Sequence, residues 1–114
     1  MIYKFLFYLA LMVIEYLATT SVHIKVIESI WDKANHFIAF FTLYILFSLS
    51  YKDLKTLIKV ILLLLFGIQI EIVQYFLPYR DFSLLDVIAD FIGIILGVLV
   101  YDIINIKKVL GNNP

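Results

Sequence analysis

The sequence predicts an all-α, polytopic membrane protein, an antiparallel bundle of four transmembrane helices. Hydrophobic residues make up 64% of its 114 residues, against roughly 45–50% in ordinary soluble domains. The mean hydropathy is +1.04 and only 16% of the residues are charged, which excludes both a soluble globule and a disordered chain. Four apolar segments are each long enough to cross a hydrocarbon layer about 30 Å thick. Because the links between them are short, neighbouring helices are expected to run in opposite directions.

The four predicted spans each hold about 20 mostly apolar residues. They cover residues 2–20, 31–51, 57–77 and 84–106. Together they form a single domain over residues 1–114. The first span is similar to a secretory signal in that Lys4 precedes its apolar run. Glu15 interrupts that run, however, and no small-x-small cleavage site follows, so a retained transmembrane helix is the favoured interpretation.

The segments outside the spans are more polar. The first link, from Ser21 to Ile30, is long enough for a short interfacial helix beginning at Val22. Trp31 then stands where an aromatic residue of the membrane interface is expected. The tail from Lys107 to Pro114 is too short to fold.

The distribution of charge predicts the orientation and excludes other functions. The 9 basic and 9 acidic side chains leave no basic surplus for binding nucleic acid, and the chain contains no cysteine for a thiolate zinc site or a thiol nucleophile. Six of the nine basic residues lie on the side of both termini, so both termini are expected to face the cytoplasm. These six are Lys4, Lys52, Lys55, Lys59, Lys107 and Lys108. Seven of the nine acidic residues lie in the outward half, leaving only Asp53 and Asp102 near the cytoplasm. Any chemistry is therefore expected on the outer side.

Three predicted helices bring an ionisable side chain to a similar depth from the outer side. At 1.5 Å per residue, Glu71, Asp90 and His36 lie about 10, 9 and 8 Å below the outer ends of their helices. A charge there costs about 2.5–3.5 kcal/mol on insertion scales, so each is expected to face the bundle interior and to find a partner. Glu15 lies at a depth of about 8 Å on the first helix. No neighbouring residue indicates which face of that helix it occupies.

Helical spacing arranges these groups in stripes, because residues three and four apart share a helix face. The stripes are Asp32, Lys33, His36 and Phe40 on the second helix, Gly67, Glu71, Gln74 and Pro78 on the third, and Asp86, Asp90, Gly93 and Gly97 on the fourth. The Gly93-x-x-x-Gly97 pair favours close approach of a neighbouring helix, and packing is preferred over a ligand role for both glycines.

Each polar residue also has a purely structural interpretation. His36 alone fits an interior histidine that only hydrogen-bonds a carboxylate, and Glu71 with Gln74 fits a polar tie between helices. Another group of residues fits solvated charges at the membrane interface. These are Asp32, Lys33, Arg80, Asp81 and Asp86. Considered together, however, the cluster has three carboxylates, those of Glu71, Asp86 and Asp90. It has one close cation, His36. Like charges held a few Å apart retain a proton or recruit a cation.

Three motifs of this chain, taken in order, form a recognisable pattern. They are Asp32-Lys33-x-x-His36-Phe37 at the start of one helix, Glu71-x-x-Gln74 before a loop carrying Arg80, and Asp86 followed by Gly93 and Gly97. This pattern resembles the VanZ-like family of small bacterial membrane proteins. One departure is Asp90, where the family pattern usually has asparagine, and it adds a negative charge to the apolar layer. The resemblance implies a multi-pass protein of the bacterial plasma membrane and an association with resistance to the glycopeptide teicoplanin.

The leading hypothesis is a membrane-embedded polar site that binds or acts on a lipid-linked, anionic component of the cell envelope. Besides membrane lipids, its expected partners are an envelope precursor or a glycopeptide-related ligand. In an enzymatic version, His36 or Glu71 is the general base, while Asp86 and Asp90 hold a divalent cation or orient the histidine. The head group is met by Lys33 and Arg80. The whole predicted binding set is Asp32, Lys33, Gln74 and Arg80.

Catalysis, metal dependence and oligomeric state stay open at this point. The candidate metal set is His36, Glu71, Asp86 and Asp90, and it lacks a diagnostic metal spacing. A second hypothesis is a noncatalytic module in which the polar residues lock the bundle and the protein binds a partner. A third is a proton or ion path that also includes Glu15. It ranks last because no comparable set of buried charges continues toward the cytoplasmic end.

Overall fold

The chain forms four helices in the part that the structure describes. The computed structural model describes residues 2–19, 25–78 and 83–111, and the side chains within these ranges except those of 25–33 and 106–111. The helices are α1 (Ile2–Thr19), α2 (Lys25–Ser50), α3 (Thr56–Tyr75) and α4 (Leu84–Gly111). Within these ranges the fold is all-helical and contains no strand.

Three of these helices contain a segment long and apolar enough to cross a membrane. The segments are Ile2–Thr19, Thr56–Tyr75 and Leu84–Asn105. The described side chains of α2 add a shorter apolar helix, Ala34–Ser50. These lengths fit the need for about 20 residues per span. The prediction of an all-α protein with long apolar helices is therefore confirmed.

Two helices extend beyond the predicted spans. α2 begins at Lys25 rather than at residue 31, so the residues from Lys25 to Ile30 belong to α2 and not to a separate interfacial helix. α4 continues to Gly111, so the prediction that the tail is too short to fold was wrong for residues 107–111. The physical reason is the same in both cases. Hydropathy marks the membrane-crossing part of a helix, whereas lysine and glutamate favour a helix wherever its hydrogen bonds continue.

α3 ends at Tyr75, two residues before the predicted end of the third span. The backbone N–H groups of Phe76 and Leu77 bond to the carbonyls of Val73 and Gln74, each at 3.1 Å. These shorter-range bonds tighten the last turn of the helix. Pro78 follows directly, and a residue that precedes proline is disfavoured in the helical conformation.

The closest packing in the bundle is between α2 and α4, and two glycines of α4 permit it. A Cβ atom at Gly97 would lie 2.9 Å from the Cβ of Tyr44, and one at Gly93 would clash with the backbone carbonyl of Phe37. Small residues at such positions let two helix backbones approach. The buried apolar core consists of Phe7, Phe40, Leu43, Tyr44, Phe47, Leu63, Ile70 and Ile94.

The helix ends determine where polar residues meet. The end of α2 lies beside the start of α3, where the Nζ of Lys59 donates to the Oγ of Ser48 at 2.7 Å. It also lies beside the start of α1, where the hydroxyls of Tyr8 and Tyr51 are 2.5 Å apart. At the opposite end of the bundle, the start of α4 lies beside the end of α3, where the backbone of Ser83 bonds to Glu71, and His36 of α2 lies beside Asp86. The carboxylates and the histidine predicted from sequence gather at this second end.

Candidate functional site

His36 and Asp90 form the centre of the candidate site. His36, on α2, is only 9% exposed, and Asp90, on α4, is fully buried. The Nδ1 atom of His36 lies 2.7 Å from Oδ1 of Asp90. An ionised carboxylate only accepts hydrogen bonds, so the Nδ1–H group donates. In the neutral imidazole this leaves the lone pair on Nε2, on the other side of the ring.

Asp86 lies next to that second nitrogen. Its Oδ2 atom is 3.8 Å from the Nε2 of His36, and Asp86 is 3% exposed. It occupies the first turn of α4, where a negative charge is favoured by the helix dipole. A lone pair that faces a carboxylate is repelled unless a proton or a metal cation lies between them. The two aspartates thus face the two nitrogens of the His36 ring.

Glu71 brings a third carboxylate from the end of α3. It is fully buried, and its Oε1 atom accepts a hydrogen bond from the backbone N–H of Ser83 at 2.9 Å. Its Oε2 atom is buried and has no hydrogen-bond partner among the described residues. One ligand atom each of His36, Glu71 and Asp86 lie within 4.8 Å of one another. The geometry therefore brings together one nitrogen and two carboxylate donors from three helices.

Gly67 lets α3 pass close to Asp90. A Cβ atom at Gly67 would lie 2.6 Å from Oδ2 of Asp90 and 3.3 Å from the ring of Phe40. This Oδ2 atom is buried and, like Oε2 of Glu71, has no hydrogen-bond partner among the described residues. Only a residue without a side chain leaves room for the carboxylate at this point.

A comparison with protein families finds a match that includes all of these site residues. A family model described as VanZ/LLP1 matches residues 2–105. The chain belongs to this VanZ family. No curated protein and no solved structure matches it. The family match covers all the motif residues from Asp32 to Gly97 and confirms the resemblance predicted from sequence.

In this VanZ-family chain, two predicted polar residues have partners away from the His36 cluster. The Nε2 of Gln74 donates to the backbone carbonyl of Ala18 at 2.8 Å and ties the end of α3 to α1. Glu15 accepts a hydrogen bond from Gln69 at 2.7 Å. The remaining predicted binding residues cannot be placed: the side chains of Asp32 and Lys33, and the whole of Arg80, lie outside the described residues.

Sequence reasoning missed a buried cation in this VanZ-family chain. Lys59 was counted among the charges near the cytoplasm, yet it is 4% exposed and bonded to Ser48. Its Nζ atom also lies 4.9 Å and 5.2 Å from the ring centres of Tyr44 and Tyr101. Both rings attract a cation to their faces. The available signal was its position inside the predicted third span, 57–77.

Proposed function

We propose that this VanZ-family chain is a four-span protein of the bacterial plasma membrane, an antiparallel bundle with both termini in the cytoplasm. Its site near the outer leaflet binds the anionic head group of a lipid-linked component of the cell envelope. Through this binding the protein changes the response of the cell to glycopeptides such as teicoplanin. The observation that supports the proposal is the meeting of His36, Glu71, Asp86 and Asp90 inside one end of the bundle.

The burial of these charged groups supports a functional role for the cluster. Charged groups inside a membrane are expensive, and they usually mark a ligand site or a transport path. A bundle that needed only stability would gain more from apolar side chains of similar volume. Lys33 and Arg80 are placed by the sequence at this same end, where they supply positive charge toward a head group.

A noncatalytic structural module is the second candidate. The bonds from Gln74 to Ala18 and from Gln69 to Glu15 favour it, because both tie α3 to α1 away from the cluster. Interhelical polar contacts of this kind are each worth about 0.6–2 kcal/mol. In that case, loss of a cluster residue reduces protein abundance and phenotype together.

The decisive experiment compares His36→Ala and Glu71→Gln with a matched control, Glu15→Gln. The control neutralises a carboxylate at a similar predicted depth that accepts its bond from Gln69. Each variant is brought to equal membrane abundance in a host that lacks the native gene. Glycopeptide susceptibility and the pool of lipid-linked envelope intermediates are then measured.

The proposal expects both cluster variants to lose the effect while Glu15→Gln keeps it. If all three behave like the wild type at equal abundance, the buried charges are structural and the proposed site is wrong. If phenotype falls only in proportion to abundance, the structural module is the correct account.

A further inference from the structure

Negative charge is concentrated in the cluster. Glu71, Asp86 and Asp90 contribute three carboxylates, and His36 contributes at most one positive charge. All four side chains are buried. Unbalanced charge in such a place costs several kcal/mol per ion even after relaxation. A divalent cation bound among the carboxylates would offset this cost and attract an anionic head group.

The donor atoms are spaced nearly as in a metal site. The Nε2 of His36 and Oδ2 of Asp86 are 3.8 Å apart, and the three ligand atoms fall within 4.8 Å of one another. Ligands about 2.1 Å from a tetrahedral zinc ion are about 3.4 Å apart, so only small side-chain movements separate the two arrangements. We infer that His36, Glu71 and Asp86 bind a divalent transition-metal ion of the zinc type. The inference deepens the proposed function, on which it rests for the identity of the anionic ligand.

The unpartnered oxygen of Glu71 is an independent observation in favour of a metal. Ser83 fixes the carboxylate through Oε1 at 2.9 Å, while Oε2 is buried without a partner among the described residues. A buried acceptor left in this state costs about 1–3 kcal/mol. A metal ion bound to that oxygen removes the cost.

Asp90 has the position of a residue that orients a metal ligand. A histidine bound to a metal almost always donates its other ring N–H to a carboxylate or a carbonyl. Here the Nδ1 of His36 is bonded to Asp90 at 2.7 Å, and Nε2 faces the carboxylate of Asp86 at 3.8 Å. Asp90 is therefore a positioning residue rather than a ligand. One imidazole nitrogen among the donors favours zinc over magnesium or calcium, which prefer oxygen ligands alone.

The test is zinc binding by the full-length protein. The protein is purified without an affinity tag, since the chain contains only His23 and His36 as histidines. It is placed in lipid nanodiscs, stripped with a chelator and titrated with zinc chloride by calorimetry. The wild type is expected to bind one zinc ion per chain, and its thermal midpoint should rise with zinc and fall again with EDTA.

The variants separate ligands from the positioning residue. His36→Ala and Glu71→Gln should abolish saturable zinc binding, whereas the matched carboxylate control, Glu15→Gln, should retain it. Asp90→Ala should weaken binding by about 10–100-fold. Asp90→Asn retains an acceptor for the Nδ1–H group and should restore most of the affinity. A merely structural role for Asp90 predicts instead that folded Asp90→Ala protein binds zinc with the wild-type affinity.

Two results would overturn the metal site. One is a wild type that shows neither saturable binding nor a zinc-dependent thermal midpoint, a measurement that does not depend on whether any variant folds. The other is full binding by folded His36→Ala or Glu71→Gln protein. The proposed function is refuted separately. If the wild type binds zinc but the site variants leave glycopeptide susceptibility unchanged, only the proposed function is wrong. Loss of the phenotype in site variants of a protein that binds no zinc refutes the metal alone.

Discussion

Replacement of Gly67 by alanine tests whether α3 holds the carboxylate of Asp90 in place. The new Cβ atom would lie 2.6 Å from Oδ2 of Asp90. Ordinary contact begins at 3.4 Å, so the carboxylate must move by about 0.8 Å, the difference between these distances. Its other oxygen is held by His36 at 2.7 Å. The movement therefore stretches or breaks that hydrogen bond.

The expected change in the free energy of unfolding of Gly67→Ala follows from two opposing effects. A hydrogen bond that involves a charged group is worth about 1.5–3 kcal/mol. Alanine inside a helix gains about 0.8–1.0 kcal/mol over glycine. Gly67→Ala should therefore lower the free energy of unfolding by about 0.5–2 kcal/mol net. In an Asp90→Ala background the clash with the carboxylate is gone, so the same substitution should be neutral or stabilising.

The assay is a double-mutant cycle, with unfolding followed by denaturant titration in mixed micelles. The coupling between positions 67 and 90 should reach about 1.5–3 kcal/mol. Gly97→Ala is the matched control, because its Cβ atom would meet Tyr44 at 2.9 Å and not Asp90. Its cost should not change in the Asp90→Ala background. If Gly67→Ala costs the same with and without Asp90, the inferred contact does not position the carboxylate.

Three further outcomes are expected from the same packing. Asp90→Asn should unfold within about 1 kcal/mol of the wild type because it keeps an acceptor for the imidazole, whereas Asp90→Ala should cost more; denaturant titration of both variants distinguishes the two. Gly93→Ala should destabilise by about 1–3 kcal/mol or more, because the clash is with the backbone of Phe37; a wild-type thermal midpoint would contradict this. Ser48→Ala should cost about 1–3 kcal/mol by leaving the ammonium of Lys59 without its acceptor, while the apolar replacement Lys59→Met should be neutral or stabilising. Equal thermal midpoints for these last two variants would refute the account of the buried lysine.

The sequence located the long apolar helices well, because hydropathy responds to the property that the bilayer selects. It located the true helix ends less well. α2 begins six residues earlier than predicted, because Lys25 and Glu28 lower the hydropathy without weakening the helix. The same argument applies to the end of α4 at Gly111. Hydrophobic patterning predicts where a helix is buried in lipid, not where its hydrogen bonds stop.

The members of the site were also accessible from sequence, but their pairing was not. Helical spacing placed His36, Glu71 and Asp90 at a common depth, since depth depends only on the rise per residue. Which carboxylate bonds the histidine depends on how each helix rotates about its axis. The structure gives that place to Asp90, the position at which the resemblance drawn from the sequence leads us to expect asparagine. Both residues offer an oxygen to the Nδ1–H group, so the departure preserves the hydrogen bond and changes only the charge.

The position of Lys59 bears on the proton-path hypothesis. One buried charge lies toward the predicted cytoplasmic end, but a single lysine is not a set of charges comparable to the His36 cluster. Along the helices, the residues between Lys59 and the His36 cluster include Phe40, Leu63 and Ile94, which are at most 2% exposed. Proton transfer needs a chain of hydrogen-bonding groups, and these side chains offer none. A layer of apolar side chains thus separates Lys59 from the carboxylates at the opposite end of the bundle. This arrangement suits a site that binds its ligand from one side of the membrane.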